Sequence, residues 1–415
     1  MCCILFRVNH ANLIIICREN NQCAFKNEMI FCHLAQHGKS LYLRPEMLTT
    51  INMLGMGPTY EAIAHFVHGG VTVFFITWTW LLWPQRKQNN MMYMLWLNMD
   101  YWAFCNLKDL IFLVDGYWES LFWSGISVTI DLLYVPIMAC FFIEVVSPGW
   151  VTKAKVLVPM AVQAVFVPLF ICFPTERIYG LALSVAYGGG VLAMLYVCYL
   201  AFRHGKYIRD NYSYTEYIDV SWTVRCGILL FICLTLYVLA FADETWLSGA
   251  VFQTICVCSW LYLYSLSRRH QVVDVPSAVF DFPWVRQEVH QNEETAIPAD
   301  MVETIASHLD ECMTRSKLYL NPKLTLQDMS VEIGTNRTYL SECLNSHLNK
   351  TFYEFVNEYR VREACRILDS MTDEDRKSMN EVAELSGFNS VSTFNRSFAK
   401  VMGVTPTRYS ARKNK

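Results

Sequence analysis

The sequence predicts an all-α protein in two parts: a helical transmembrane bundle of about seven spans, then a cytoplasmic helical domain. Three observations predict it. Apolar runs of about 20 residues, the length that crosses a bilayer, recur between Ala62 and Ser267. Basic residues alternate from one connection between these runs to the next. After Arg269 the apolar runs stop and amphipathic helical spacing begins. Composition agrees, since 53% of residues are hydrophobic and only 17% charged, against about 25% charged in an ordinary soluble domain. The net charge of -3 averages two unlike parts and points to no partner.

Residues 1–57 fit neither part and read as an N-terminal tail. The stretch up to Met47 holds five Cys, scattered charges and no helical or strand periodicity. MCCILFRVNHANLIIIC has short apolar pieces without the layout of a signal peptide. Met47, Met53 and Met56 are alternative starts, and removal of everything before Met47 is expected to leave insertion intact.

Residues 58–269 form the membrane part. Seven runs are candidate spans: Ala62 to Trp83, Met91 to Leu113, Ser120 to Val145, Val156 to Phe173, Ile178 to Phe202, Val224 to Ala242, and Trp246 to Ser267. Arg86 and Lys87 follow the first, Lys153 and Lys155 precede the fourth, Arg203, Lys206 and Arg209 follow the fifth, and Arg268 and Arg269 follow the seventh. The other connections carry Asp115, Glu119, Glu176, Asp243 and Glu244, with Arg177 their one basic residue. The positive-inside rule then places Lys415 in the cytoplasm and the Asp115 to Glu119 loop outside. Trp83, Trp118, Trp150 and Trp246 stand near span ends, as interfacial aromatics do.

Ionisable residues inside spans are costly and usually face a bundle interior. Asp100, Lys108, Asp109 and Asp131 are such residues, and both a structural ion pair and a sensing element fit them. Asp100, Lys108 and Asp131 are the candidate sensing residues, with Lys108 expected to meet Asp131. His65 and His68 lie one turn apart without a third ligand, so no metal site is assigned. The part holds no HExxH, Walker A loop or GxSxG elbow, and no catalytic residue or cofactor is assigned. Eight Cys in apolar runs, with Cys312, Cys343 and Cys365 further on, read as small buried side chains.

Residues 270–299 read as a linker and 300–415 as the cytoplasmic domain. Val302, Ile305, Ala306 and Leu309 share one helical face. In LTLQDMSVEIGTNRTYLSECLNSHL, Leu326, Met329 and Ile333 mark a short helix, Gly334 a tight turn, and Asn336 the N-cap of a second helix. Tyr339, Leu340 and Leu344 are expected inward, and Arg337, Thr338, Ser341, Glu342 and Asn345 outward. A long helix follows, with Phe352, Phe355, Val356, Tyr359, Ala364, Ile367 and Leu368 as its buried stripe. The short hairpin then returns. Met379, Val382, Ala383 and Leu385 build its first helix, Gly387 the turn, and Ser390 the cap of its second. Phe394, Phe398 and Val401 are expected inward, and Val391, Ser392, Asn395, Arg396 and Lys400 outward. Two helical hairpins joined by one long helix is a specific helix-turn-helix arrangement.

With these residues in view, the stretch from about Lys317 to Tyr409 resembles the AraC/XylS-type DNA-binding domain. TYLSECLN looks like that family's first recognition helix and VNEYRVREACRIL like its linker helix. EVAELSGFNSVSTFNRSFAKVMGVTPTRY is similar to its most diagnostic segment, with Gly387, Phe388, Phe394, Arg396, Phe398, Gly403, Thr405, Pro406 and Tyr409 in place. Ala399 stands where a basic residue is common, and Met329 and Ser330 replace a usual Leu-Ala. The resemblance implies two helix-turn-helix units in successive major grooves and control of nearby promoters. The DNA-binding residues then expected are Arg337, Thr338, Ser341, Asn345, Ser392, Asn395, Arg396 and Lys400. Between Leu385 and Lys415 there are six basic residues and no acidic one, which suits phosphate contact. From Asp300 onward 16 basic residues face 16 acidic ones, so the domain is no general binder of polyanions.

The function this predicts is a sequence-specific transcription regulator in the bacterial cytoplasmic (inner) membrane. It couples a membrane signal to promoter activity and is not an enzyme. The alternative is a membrane enzyme or transporter whose DNA-binding domain regulates its own expression. The partners implied are double-stranded DNA, membrane lipid, RNA polymerase, a small ligand and a second copy of the chain.

Overall fold

The computed structural model describes residues 4–8, 11–17, 23–24, 31–32, 41–42, 56–110, 120–243, 246–281, 298–372 and 377–413. Most of the N-terminal tail, the Asp115 to Glu119 loop with Trp118, and the later half of the 270–299 linker lie outside these. The chain divides into two compact units, Met1–Val71 with Leu236–Ile255, and Thr72–Thr235 with Cys256–Lys415.

The first unit contains the strands. β1 (Ile4–Val8) pairs antiparallel with β2 (Ala11–Cys17), with Ile4 opposite Ile15, and β2 with β3 (Cys23–Ala24). β4 (Phe31–Cys32) and β5 (Leu41–Tyr42) form a second small sheet. The tail, which belongs to neither all-α part and shows neither helical nor strand periodicity as a whole, thus carries short strands. ILFRV and ANLIIIC are rich in β-branched and aromatic side chains, which favour strands. In the same unit His68 Nδ1 lies 2.7 Å from Gln253 Nε2. Its neighbour is thus an amide, and among the described residues no three His, Cys, Asp or Glu side chains gather as a metal site.

Among the described residues every element from Met56 onward is helical. Helices stand at all seven expected span positions: α1 (Met56–Leu82), α2 (Asn90–Lys108), α3 with α4 (Leu121–Asp131, Tyr134–Val146), α5 with α6 (Lys153–Ala164, Phe166–Cys172), α7 (Glu176–Asn211), α8 (Ser221–Asp243) and α9 (Trp246–Arg269). Among the described residues five are long and apolar enough to cross a membrane: Ala62–Leu82, Leu121–Val146, Lys153–Cys172, Glu176–Asn211 and Gly249–Arg269. α2 and α8 are not among the five; of α8 only Ser221–Cys233 counts, as a shorter apolar helix. α2 is the most polar candidate, with Asn98, Asp100, Asn106 and Lys108 along it.

Two of the apolar helices are broken. α3 ends at Asp131 and α4 starts at Tyr134, just ahead of Pro136; α5 ends at Ala164 and α6 starts at Phe166, ahead of Pro168. A helical proline donates no backbone bond and its ring collides with the carbonyl four residues earlier. Those carbonyls belong to Leu132 and Ala164, where the two breaks fall. α3 and α6 approach closely at Gly125, where a Cβ would meet the Phe170 ring at 2.3 Å.

The C-terminal helices are α10 (Ala299–Thr314), α11 (Leu326–Glu332), α12 (Arg337–Glu342), α13 (Phe352–Ser370), α14 (Met379–Leu385), α15 (Val391–Met402) and α16 (Pro406–Lys413). They gather around two cores. Ile305, Leu309, Met313, Met329, Leu340, Leu344, Phe352 and Val356 belong to the first. Val361, Ala364, Leu368, Val382, Ala383, Phe388, Phe394 and Phe398 belong to the second, with Tyr409 against it. α13 serves both, its first half on one core and its second half on the other. Val401 is 43% exposed rather than inward, because the inward face of α15 is completed by Thr393 and Ser397 beside the two Phe.

Candidate nucleic-acid interface

Each short hairpin is set by local chemistry. Thr325 accepts from the Asp328 amide while Asp328 caps back, closing the start of α11. Gly334 then takes φ +71°, a left-handed turn that only glycine adopts without strain. Asn336 Oδ1 accepts from the Tyr339 amide at 2.7 Å and starts α12. The second hairpin repeats this: a Ser378–Glu381 capping box opens α14, Gly387 turns at φ +84°, and Ser390 Oγ accepts from the Thr393 amide at 3.2 Å. Gly387 is required twice over, since a Cβ there would lie 2.5 Å from the Tyr319 carbonyl oxygen.

On the first hairpin Arg337, Thr338 and Asn345 are exposed and Ser341 half-buried. Asn345 lies past α12 in the π-turn Cys343–His347, where its Nδ2 donates to Ser341 Oγ at 3.2 Å. On α15 Ser392, Asn395, Arg396 and Lys400 are all exposed. Two of them hold other parts of the protein. Arg396 Nη2 donates to Tyr353 Oη at 3.3 Å and to Thr215 Oγ1 at 3.4 Å. The Tyr353 hydroxyl raises the guanidinium above its ordinary pKa. Lys400 Nζ donates to Glu354 Oε1 at 2.6 Å, and that contact outweighs burial in holding the Glu354 carboxyl below its usual value.

Sequence reasoning missed the centre of this domain, Arg360. It is 1% exposed. Nε donates to the Tyr319 carbonyl, Nη1 to the Ser213 carbonyl and Asn357 Oδ1, and Nη2 to Ser213 Oγ and the Asn321 carbonyl, at 2.7 to 3.1 Å. All five donors meet neutral oxygens. Burial therefore pulls its pKa down to about 10. The signal was there: Phe352, Val356 and Arg360 succeed one another at four-residue steps, which puts the Arg on the apolar stripe.

Among the apolar helices Lys108 meets Asp131, Nζ to Oδ1 at 3.1 Å. Asp109, passed over as a sensing candidate, joins them. Lys108 donates to Asp109 and to Ser127, and Ser127 Oγ donates to Asp109 Oδ1 at 2.8 Å. Tyr101 Oη donates to the Ile130 carbonyl at 2.5 Å, one residue from Asp131. Asp100 enters no ion pair among the described residues. One cation thus faces two carboxylates where α2 ends and α3 breaks.

Comparison with known proteins places the C-terminal region. Residues 329–412 match the family described as "Helix-turn-helix domain". The chain is 30% identical over 87 residues to the HTH-type transcriptional regulator YisR of Bacillus subtilis, covering 21% of this chain and 29% of that protein. It is 29% identical over 111 residues to YdeC of the same organism, covering 26% and 37%. The chain thus spans about a third of the length of these relatives. The C-terminal domain of AraT, a response regulator from Geobacillus stearothermophilus, aligns at 22% identity over 26% of this chain and 84% of that one, with a TM-score of 0.23. The C-terminal part of this chain is a helix-turn-helix domain of the AraC type.

Proposed function

We propose that the protein is a membrane-bound, sequence-specific DNA-binding transcription regulator that couples a signal at the membrane to promoter activity. One observation carries the DNA-binding part: α12 and α15 each follow a glycine turn, start at a side-chain cap, and present polar side chains outward from a separate core. Two such helices on either side of α13 suit two helix-turn-helix units, reading through Arg337, Thr338, Ser341 and Asn345 on one and Ser392, Asn395, Arg396 and Lys400 on the other. Phosphate contact by the basic residues of α15 and α16 adds affinity without sequence preference.

For the membrane part, five apolar helices with large side chains outward support the reading: Phe66, Trp80, Leu192 and Phe202 are all at least 66% exposed. The alternating basic connections favour seven spans and a cytoplasmic C-terminus. Residues 58–269 then make a sensor and anchor, 270–299 a linker and 300–415 the DNA-binding domain. The Lys108, Asp109 and Asp131 cluster is the candidate sensing element. A ligand that separates these charges shifts the bundle only by its differential affinity for the two arrangements. RNA polymerase and a second copy of the chain are the protein partners this function calls for.

The test is immunoprecipitation of the full-length protein with crosslinked chromosomal DNA, alongside membrane fractionation. Discrete enriched promoters, recovered with the membrane, are expected. Enrichment without sequence preference, or a protein found wholly in the soluble fraction, overturns the proposal.

A further inference from the structure

The loop between α7 and α8, Tyr212 to Val220, lies against the C-terminal domain at three places. At its start Tyr212 bridges Thr325, and the Ser213 amide and hydroxyl both donate to the Leu324 carbonyl, at 3.1 and 2.7 Å. That is the entry to the first hairpin. In the middle, Ser213 takes two bonds from Arg360 and one from Asn357 Nδ2 at 3.3 Å. Further on, Glu216 Oε1 accepts from Ser390 Oγ at 2.7 Å, and Asn389 Nδ2 stands 3.5 Å from Oε2. Thr215 Oγ1 takes the Arg396 contact. Tyr217 is held at φ +66°, a sparsely populated backbone for tyrosine, and its carbonyl accepts from the Gln271 amide just past α9 at 2.7 Å.

Three features of the loop bear on DNA. Ser390 is the N-cap of α15, so Glu216 puts a carboxylate at the positive end of that helix. Helix N-termini hold phosphate groups in the same way, and a recognition helix meets base edges through its first residues. Arg396, on the outward face of α15, is also engaged. Burial alone would raise the Glu216 carboxyl, but hydrogen bonds from Thr393 and Ser390 outweigh it and hold the group below the ordinary glutamate value. Glu216 is therefore a fixed negative charge at the end of α15 that DNA would approach.

We propose that this loop is an intramolecular latch: Glu216 occupies the start of α15 and Thr215 engages Arg396 on its outward face, and duplex DNA must displace them to engage the helix. The proposal rests on the DNA-binding reading above. It makes the juxtamembrane loop and DNA competing partners of one surface. The competition is also mechanical. The loop is continuous with α7 on one side and α8 on the other, and Tyr217 ties it to the end of α9. A shift of those helices changes the stability of the docked loop, and so the affinity of the domain for DNA.

The experiment uses the full-length protein in lipid nanodiscs and a duplex selected by it from a random pool. Glu216→Ala is expected to bind that duplex about tenfold more tightly, the ratio that 1.4 kcal/mol gives. Thr215→Val, which changes no charge, should tighten binding by a smaller factor. Hydrogen exchange separates latch release from simple removal of a negative charge. On saturation with DNA the wild-type amides of Ser213 and Ile218 should exchange faster. Equal or weaker binding by Glu216→Ala overturns the latch, and so does unchanged or slower exchange when DNA binds. If wild type and both variants select no duplex at all, the DNA-binding reading itself falls, and the latch with it.

Discussion

Arg360 and Ser213 lie 147 residues apart in the chain and share two hydrogen bonds, Nη1 to the Ser213 carbonyl at 2.9 Å and Nη2 to its hydroxyl at 3.0 Å. Arg360→Met keeps most of the volume and removes all five donors. Buried acceptors left unpaired cost about 1–3 kcal/mol each. A loss of several kcal/mol in domain stability is expected, with the Ser213 region exposed together with the Tyr319 segment. Denaturant unfolding followed by limited proteolysis checks both. A variant of wild-type stability contradicts the central role given to Arg360.

The two turn glycines separate backbone strain from steric clash. Gly334→Ala meets no neighbour within 4 Å and should cost only the left-handed penalty, about 1–2 kcal/mol. Gly387→Ala carries the same penalty and also drives a Cβ into the Tyr319 carbonyl. It should be clearly the worse of the two in thermal unfolding. Equal losses would mean that the segment at Tyr319 moves aside freely.

Phe398 is fully buried and touches Phe394 and Tyr409 at ring-centroid distances of 5.6 and 5.5 Å. Phe398→Ala is expected to cost about 3–5 kcal/mol, whereas Val401→Ala, three residues on and exposed, should cost little. Unfolding midpoints of the two variants make the comparison.

Among the described residues Arg337 makes no side-chain hydrogen bond like those that Arg396 makes to Tyr353 and Thr215. Arg337→Ala should lose about 1–3 kcal/mol on the selected duplex and relax specificity at one base pair, if the guanidinium reads guanine. Arg396→Ala should loosen the Tyr353 contact as well and lower stability. A uniform loss over all sequences for Arg337→Ala would make it a phosphate contact.

Glu216, Glu354 and Glu363 are all held below the ordinary glutamate value of 4.5. For Glu363 the first cause is the Arg366 guanidinium. A carboxyl whose folded pKa is depressed stabilises fully above the unfolded value and loses that contribution as pH falls through the folded one. The domain is therefore expected to keep a flat melting temperature above pH 4.5 and to lose stability below it. A profile that stays flat well below that value speaks against these contacts.

Among the apolar helices Lys108→Asp would place three carboxylates together with no cation. Loss of protein from the membrane is expected, read by immunoblot. Restoring one cation with Asp131→Lys in the same chain should recover the level, since one Lys again faces two Asp. Normal levels with promoter output fixed in one state would instead mark the cluster as the sensor.

Much of this was legible because it is local. Asn336 and Ser390 announce helix starts three residues ahead of the amides they cap, and Gly334 and Gly387 announce turns through their own backbone. The Phe394 and Phe398 stripe follows from helical spacing alone. The breaks at Leu132 and Val165 were legible too, from Pro136 and Pro168, but a search for unbroken apolar length passes over them. The partners of Arg360, Glu216 and Arg396 were not legible. Ser213, Ser390 and Thr215 come from segments more than 140 residues away, and no periodicity links them. Asp109 was not legible as a member of the cluster, because adjacent residues on a helix ordinarily point apart, and only at the end of α2 do Lys108 and Asp109 converge on Ser127.

The Tyr199 hydroxyl donates to the Asp281 carbonyl at 3.1 Å, which pins the start of the connection to α10. From Asp281 to Ala299 there are about 18 residues, and a chain of that length reaches at most about 60–65 Å fully extended. The leash is short. Even with its loop released, the C-terminal domain stays within that radius of α7. On the proposed membrane-bound reading the chromosome has to travel: only promoters that drift to the inner face of the envelope would be engaged, and the position of a gene in the nucleoid would become part of its control.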